Sequence, residues 1–569
     1  MEPQADRAPG TFTITGIGVS PGIVTGRVFH LTEPLPEPPA GLRLGPKEDH
    51  ESIAGQIDQA SIKVTKDLAI AAAKATSKET SAVLEATSTM AADPTLVADA
   101  RRRVIDEHLM PERAIWEAAA KVARHFNELG GYFAERVTDI IDIRDRMIAA
   151  LTGDLVPGLP VADQPYILVA PDLAPSVTAT LDESLVMAII TDGAGPTSHT
   201  AIIAKEKGIP CIVAAPGAST YLTPGSIVLL NGSSGLVVLD PTDAQITKAQ
   251  AGAHKVRVFH GKGLTKDGVH IELLANVGDP ASAAEAAAAG AEGIGLFRTE
   301  FCFLDQQTPP SLAEQVEQYG SVFAQFPGKK VVIRTLDSGA DKPLPFMHFE
   351  PEENPALGVR GIRTALKFPQ LLETQLQAIS EAASQHEADV WVMAPMISTV
   401  AETEVFVAQC AAHGLNTPGV MIEVPSAALL AGPILARAHF ASIGTNDLTQ
   451  YTMAADRLLG AIAELSDPWQ PALLRMVEHA THGGALQGRP VGVCGEAASF
   501  PMLAIVLVGL GVSSLSMTAR SLPDVATALA SVDRDKCRAI ARIAVDAESA
   551  QQAREAVRQA LPELAELGL

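Results

Sequence analysis

Residues 191–205 read ThrAspGlyAlaGlyProThrSerHisThrAlaIleIleAlaLys. An apolar run ends at Thr191, a loop of small residues follows, and Thr197 and Ser198 precede a helical pattern that begins at His199. Ser and Thr are strong N-caps, so His199 is expected on the first turn of a helix. Free N–H groups and the positive end of the helix dipole sit there, ready to receive an anion. Imidazole is nucleophilic at neutral pH, and a phosphoryl group on its ring nitrogen would be stabilised by those donors. A capping histidine on a surface helix is the plain alternative. The small-residue approach and the paired hydroxyls argue against it.

These residues need elements to position them. Strand-like text at 11–19 is turned by SerProGlyIle (20–23) and resumes at 26–31; a Pro-rich loop follows at 33–46. From about 47 to 150 the text is helical, with Ile53, Ile57, Ile62, Val64, Leu68 and Ile70 approximating one stripe. Val83, Leu84 and Met90 mark a second helix. Asp93 is a cap candidate before Pro94, and segments 96–108, 111–128 and 132–151 complete a module of four or five helices. Strand grammar returns at 166–170, 185–191, 209–214 and 226–231. The helical module therefore reads as an insertion into a β/α domain, and 241–260 reads as a connecting helix.

Eight short apolar strands follow, at 270–276, 293–297, 331–335, 391–396, 419–423, 440–444, 491–494 and 514–517. Eight βα units match a (β/α)8 barrel, with an open doubly wound sheet as the alternative on periodicity alone. Polar residues decide between them. ArgThrGlu (298–300), ArgThrLeuAsp (334–337), GluValPro (423–425), ThrAsnAsp (445–447), CysGlyGlu (494–496) and SerMetThr (516–518) each close one of those strands. Barrel enzymes build their sites at that face.

Composition narrows the class further. The 569 residues carry 43 Lys+Arg against 66 Asp+Glu, a formal charge of −23. Nothing in that balance attracts nucleic acid or an anionic membrane. Apolar residues are 47%, enough for several buried cores, and five cysteines form no CxxC pair. No apolar run reaches the roughly 18 residues of a spanning helix, and the polar start MEPQADRAPG lacks a signal-peptide core. A multidomain, cytoplasmic protein with neither nucleic-acid nor membrane partner is expected.

Thr197-Ser198-His199-Thr200-Ala201 in this setting resembles the phosphohistidine turn of enzymes that exchange phosphate with phosphoenolpyruvate. These are pyruvate phosphate dikinase, phosphoenolpyruvate synthase and enzyme I of the bacterial sugar phosphotransferase system. The first two need a large nucleotide-binding module. The stretch ahead of His199 is too short for one and has no Gly-rich phosphate loop. The resemblance to enzyme I runs over essentially the whole chain. It implies a swivelling phosphohistidine domain (1–32 and 152–240), an inserted helical domain (45–151) that binds the histidine-containing phosphocarrier protein, a linker helix (241–262) and a phosphoenolpyruvate-binding (β/α)8 barrel (263–569).

The same resemblance implies residue roles. His199 carries the phosphoryl group; Glu423 and Asp447 bind Mg²⁺. Arg298, Arg334, Asn446 and Arg457 hold phosphate and carboxylate, Arg360 orients the phosphoryl group, and Cys494 exchanges the proton at the substrate's methylene carbon. The chemistry is coherent: a trianion needs several cations, and Mg²⁺ takes a couple of protein carboxylates plus substrate oxygens and water. Loss of phosphate leaves pyruvate enolate, which a nearby thiol can protonate. A homodimer formed through the barrel is implied as well. The alternatives are the nitrogen-related enzyme I paralogue, or a dikinase or synthase relative lacking its nucleotide domain.

Overall fold

Two strands that the sequence joins are separated in space. β1 (Thr13–Thr15) and β2 (Ile17–Ser20) flank Gly16, yet they stand at opposite ends of one eight-stranded sheet. The single strand expected at 11–19 is therefore two, and the sheet curls until its edges meet at Gly16. A Cβ there would lie 2.6 Å from the Val213 carbonyl oxygen, so only glycine permits the switch. The remaining strands are β3 (Ile23–His30), β4 (Tyr166–Ala170), β5 (Val186–Thr191), β6 (Cys211–Val213), β7 (Ile227–Asn231) and β8 (Leu236–Leu239). Their order is β1-β8-β7-β3-β4-β5-β6-β2. β8 was not expected; it forms a short antiparallel hairpin with β7.

The computed structural model describes residues 12–567, apart from 32–34, 75–77, 130–135, 155–158, 161, 174–176, 178–180, 194, 196–197, 233–234, 248–256, 305, 340–343 and 458. It divides into two compact units, residues 1–250 with 458–463, and residues 251–457 with 464–569.

In the first unit, helices α1 (His50–Lys74), α2 (Lys78–Ala91), α3 (Pro94–Asp106), α4 (Pro111–Leu129) and α5 (Val137–Thr152) all fall between β3 and β4. Those two strands are parallel neighbours, Val28 opposite Ile167, so the helices interrupt a continuous sheet. Asp93 caps α3, accepting a hydrogen bond from the Thr95 N–H at 2.7 Å. Ile57, Val64 and Leu68 of the expected α1 stripe are buried, but Ile62 is 67% and Ile70 44% exposed. At 100° per residue each lies about 140° round the helix from Ile57. Small residues take the vacated places: Ala54, Ala60, Ser61 and Ala72 are buried instead. Of the expected connecting helix, 243–247 is helical, 248–256 lies outside the described residues, and 257–262 is loop rather than helix.

In the second unit, β9 (Glu272–Val277), β10 (Ile294–Phe297), β11 (Lys330–Arg334), β12 (Asp389–Ala394), β13 (Pro418–Ile422), β14 (Ala441–Ile443), β15 (Val491–Val493) and β16 (Ser514–Met517) close a parallel barrel. β16 pairs back to β9, Leu515 opposite Leu273, which excludes the open sheet. Inside, Leu296, Val332, Met393, Met421, Phe440 and Cys494 form one small apolar cluster. The larger core lies between the strands and the surrounding helices. Among the described residues, no helix is long and apolar enough to cross a membrane.

Candidate active site

Every parallel strand of the barrel points the same way, so residues just after each strand gather at one mouth. Arg298 follows β10, Arg334 ends β11, Glu423 follows β13 and Cys494 follows β15. Asn446 and Asp447 lie in the first turn of α7 (Thr445–Met453), which begins one residue past Gly444 at the end of β14.

The buried charges alternate in sign. Arg334 reaches Glu300 at 2.9 Å and Asp337 at 3.1 Å. Arg360, 1% exposed, reaches Asp337 at 3.4 Å and Asp447 at 3.3 Å, and donates to the Tyr451 hydroxyl at 3.3 Å. Asp447 also meets Arg457 at 3.4 Å. The contacts made by Arg360 and Arg457 are at the long end for hydrogen bonds, geometry that an incoming anion can displace. Burial works against the charge on Arg334, but Glu300, Asp337 and Glu423 outweigh it and keep the guanidinium protonated.

Glu423 sits beside this chain, 1% exposed. It accepts a hydrogen bond from the Met396 backbone N–H at 2.6 Å. Met396 holds φ +60°, a left-handed conformation that a non-glycine residue adopts at a cost. A Cβ on Gly444 would lie 2.9 Å from the second carboxylate oxygen, so a larger residue there would displace the carboxylate. Burial, Asp337 and Asp447 push Glu423 up to about 8, against the opposing pull of Arg334 and Arg360. Two neighbouring carboxylates disfavour a charge on Glu423, a setting that a cation would relieve.

Three further sequence-predicted residues line the mouth differently. Asn446 accepts from the Glu496 N–H at 3.3 Å. Arg298 is exposed, with no ion-pair partner among the described residues. Cys494 is 2% exposed and donates to the Ile443 carbonyl at 3.7 Å. Burial pushes its thiol up to about 11, although the Ser442 hydroxyl and Arg334 pull the other way. At neutral pH it is a proton donor, not a thiolate.

Behind the mouth lies a polar brace. Gln375 donates to the Thr299 hydroxyl at 3.1 Å and accepts from the Leu336 N–H at 2.9 Å. Thr299 in turn donates to the Arg334 carbonyl at 2.9 Å. One buried amide thereby fixes the backbone on both sides of Thr335, directly after Arg334.

His199 lies in the first unit, apart from these residues in the chain's division. It begins helix α6 (His199–Lys207), and Ser198 is the N-cap, its hydroxyl accepting from the Ala201 N–H at 3.3 Å. Ala194, Pro196 and Thr197 lie outside the described residues.

The sequence did not single out Glu300, Asp337, Tyr451 or Met396 for a role. Glu300 and Asp337 stand in the ArgThrGlu and ArgThrLeuAsp strand ends, where an acidic neighbour for each arginine was readable. Tyr451 lies one turn past Asp447 on α7. The backbone twist of Met396 leaves no sequence signal.

No group of three or more His, Cys, Asp or Glu that could hold a metal occurs among the described residues. Glu423 and Asp447 are a carboxylate pair of the kind that binds Mg²⁺ together with substrate oxygens and water, so the residues present fit the ion.

Comparison with known proteins gives the class. Family models match three parts of the chain: PEP-utilising enzyme, N-terminal, over residues 15–136; mobile domain, over 162–235; and PEP-binding domain, over 253–534. The chain belongs to the PEP-utilising enzymes. Within them it is 45% identical to a phosphoenolpyruvate-protein phosphotransferase of Streptomyces coelicolor, over 96% of this chain and 99% of that one. A protein with the same description from Haloferax volcanii is 37% identical over 95% and 98%. A multiphosphoryl transfer protein of Xanthomonas campestris is 36% identical over 97% of this chain and 67% of its own. This chain is accordingly a transferase that moves the phosphoryl group of phosphoenolpyruvate to protein.

Proposed function

We propose that the phosphoryl group passes first to His199 and then to a histidine-containing phosphocarrier protein, opening a sugar phosphotransferase system in the cytoplasm. The observation that carries this reading is the alternating chain Glu300–Arg334–Asp337–Arg360–Asp447–Arg457 beside Glu423 at the barrel mouth. A trianion that takes over the arginines frees the carboxylates, and Glu423 and Asp447 would then hold Mg²⁺. When bound, that ion would neutralise charge shared by the substrate's carboxylate and phosphate.

In this scheme Arg298, Arg334, Arg457 and Asn446 bind the substrate's oxygens and Arg360 orients its phosphorus. The His199 ring nitrogen attacks phosphorus as the bond to the enol oxygen breaks. The enolate left behind takes the proton of Cys494 at its methylene carbon and becomes pyruvate. The swivel domain (1–32 and 152–240) carries His199, the helical domain (45–151) docks the carrier, 241–262 links them to the barrel (263–569), and the barrel forms a homodimer.

A Glu423→Ala variant separates the two half-reactions. It should take no label from phosphoenolpyruvate and still accept phosphate from phosphorylated carrier. Loss of both in a folded variant would refute the division of labour.

A further inference from the structure

Most of a (β/α)8 barrel interior is filled by branched side chains in layers. Here small residues interrupt the filling. A cavity of ≈ 20 Å³ lies inside the barrel, lined by Glu272, Lys330, Ser442, Gly492, Ser514 and Ser516 among others. Glu272 and Lys330 begin β9 and β11 and pair at 2.6 Å, so they mark the end of the barrel opposite the mouth. Pro490, also on the lining, is exposed, which places that end of the cavity at the surface. A water needs about 10–15 Å³ and two to four polar partners, and this cavity provides both.

The upper end of the cavity is lined by Ser442 and by Val493, the residue before Cys494. Ser442 pairs in register with Gly492, two residues before Cys494, so its side chain and the thiol share the inner face of the barrel. The thiol itself donates to the Ile443 carbonyl at 3.7 Å and belongs to the apolar cluster of Leu296, Val332, Met393, Met421 and Phe440. On the mouth side a bound substrate would cover it. Beside it, Ser516 donates to Asn276 at 2.6 Å, and Asn276 donates to the Cys494 carbonyl at 3.0 Å, so a polar seam runs down the same wall.

We propose that Ser442 and the cavity below it form a proton path that resupplies Cys494 from the face of the barrel opposite the substrate. The proposal rests on the reading of Cys494 as the proton-transfer group. The S–H bond breaks as its proton goes to the enolate carbon, leaving a thiolate. Ser442 gives its hydroxyl proton to that sulfur and takes one from the cavity water, which regains it from solvent. One solvent proton enters per enolate protonated, and nothing is oxidised or reduced. In reverse, the proton drawn from pyruvate leaves by the same path.

The path makes a specific prediction about proton return. In the parent enzyme, a proton taken from pyruvate is lost to solvent before it can go back. With the path cut, the thiol keeps it and returns it to the same carbon. The experiment incubates full-length phospho-enzyme with Mg²⁺ and pyruvate in D₂O. It measures methyl-proton loss by NMR and, in parallel, conversion of carbon-labelled pyruvate to phosphoenolpyruvate. Ser442→Ala removes the hydroxyl; Ser514→Val plugs the cavity without touching the thiol. In both, methyl-proton loss per label conversion should fall by about fivefold or more. If either folded variant keeps the parent's ratio, the path is overturned. Cys494→Ala tests the underlying reading separately: undiminished proton loss there would remove the thiol's role itself, whatever the serine variants do.

Discussion

Arg360 and Asp447 meet at 3.3 Å although 87 residues separate them in the chain. The first is delivered by the loop after β11, where residue 360 bridges back to Gly339; the second by the first turn of α7. Arg360 also holds Asp337, so a single guanidinium joins two carboxylates of the mouth.

Replacing Arg360 by Met keeps volume and removes charge. Breaking a buried pair from one side costs about 3–5 kcal/mol, because the partner's charge stays buried. Asp337 and Asp447 retain Arg334 and Arg457, which puts the expected loss near the lower bound, about 3 kcal/mol by urea unfolding. Adding Asp337→Asn should restore part of that loss. A double variant no more stable than Arg360→Met alone would show that the two groups are not coupled.

Glu423 should link metal binding to pH. Its carboxyl, ordinarily near 4.5, is pushed up to about 8 by burial and by Asp337 and Asp447. The native protein therefore keeps a proton that the unfolded chain has lost. This contribution to stability is complete below about 4.5 and is lost as pH rises through about 8. A divalent ion needs the ionised carboxylate and displaces the proton. Affinity for Mn²⁺, followed by EPR, should weaken about tenfold per unit of pH below 8. Glu423→Gln should bind weakly and without that slope. A pH-independent affinity in the parent would contradict the assignment.

Gln375 supports Arg334 without touching the mouth. Gln375→Leu would leave the Leu336 N–H unpaired in the core, at a cost of about 1–3 kcal/mol. Because the backbone around Arg334 loosens, KM for phosphoenolpyruvate should rise several-fold, while phosphorylation from the carrier stays at the parent's rate. Equal damage to both half-reactions would mean that the brace is only structural.

The barrel was legible because its strands are short apolar runs, six of the eight closed by a charged or polar group. ArgThrLeuAsp and GluValPro announce both a strand and its end. For the same reason the positions of Arg298, Arg334, Glu423, Asn446, Asp447 and Cys494 at the mouth could be read from the sequence, whereas Arg360 and Arg457 lie in longer loops. What sequence reading missed depends on contacts that local pattern does not encode. The jump of the chain across Gly16 is set by the Val213 carbonyl, nearly two hundred residues away. The α1 stripe counted large apolar residues, whereas burial followed angle, and small residues filled the places of Ile62 and Ile70. Met396 looks like any apolar residue after a strand, yet its φ of +60° aims an N–H at Glu423. Glu300 and Asp337 were in view but had no role until the fold set them against Arg334.

The most direct test of the account is where the phosphate lands. The full-length protein, incubated with ³²P-labelled phosphoenolpyruvate and Mg²⁺ and then digested, should carry acid-labile, base-stable label on the peptide that contains His199. His199→Ala should bind phosphoenolpyruvate and carry none. Undiminished labelling of that variant, or label on another peptide of the parent, would contradict the account.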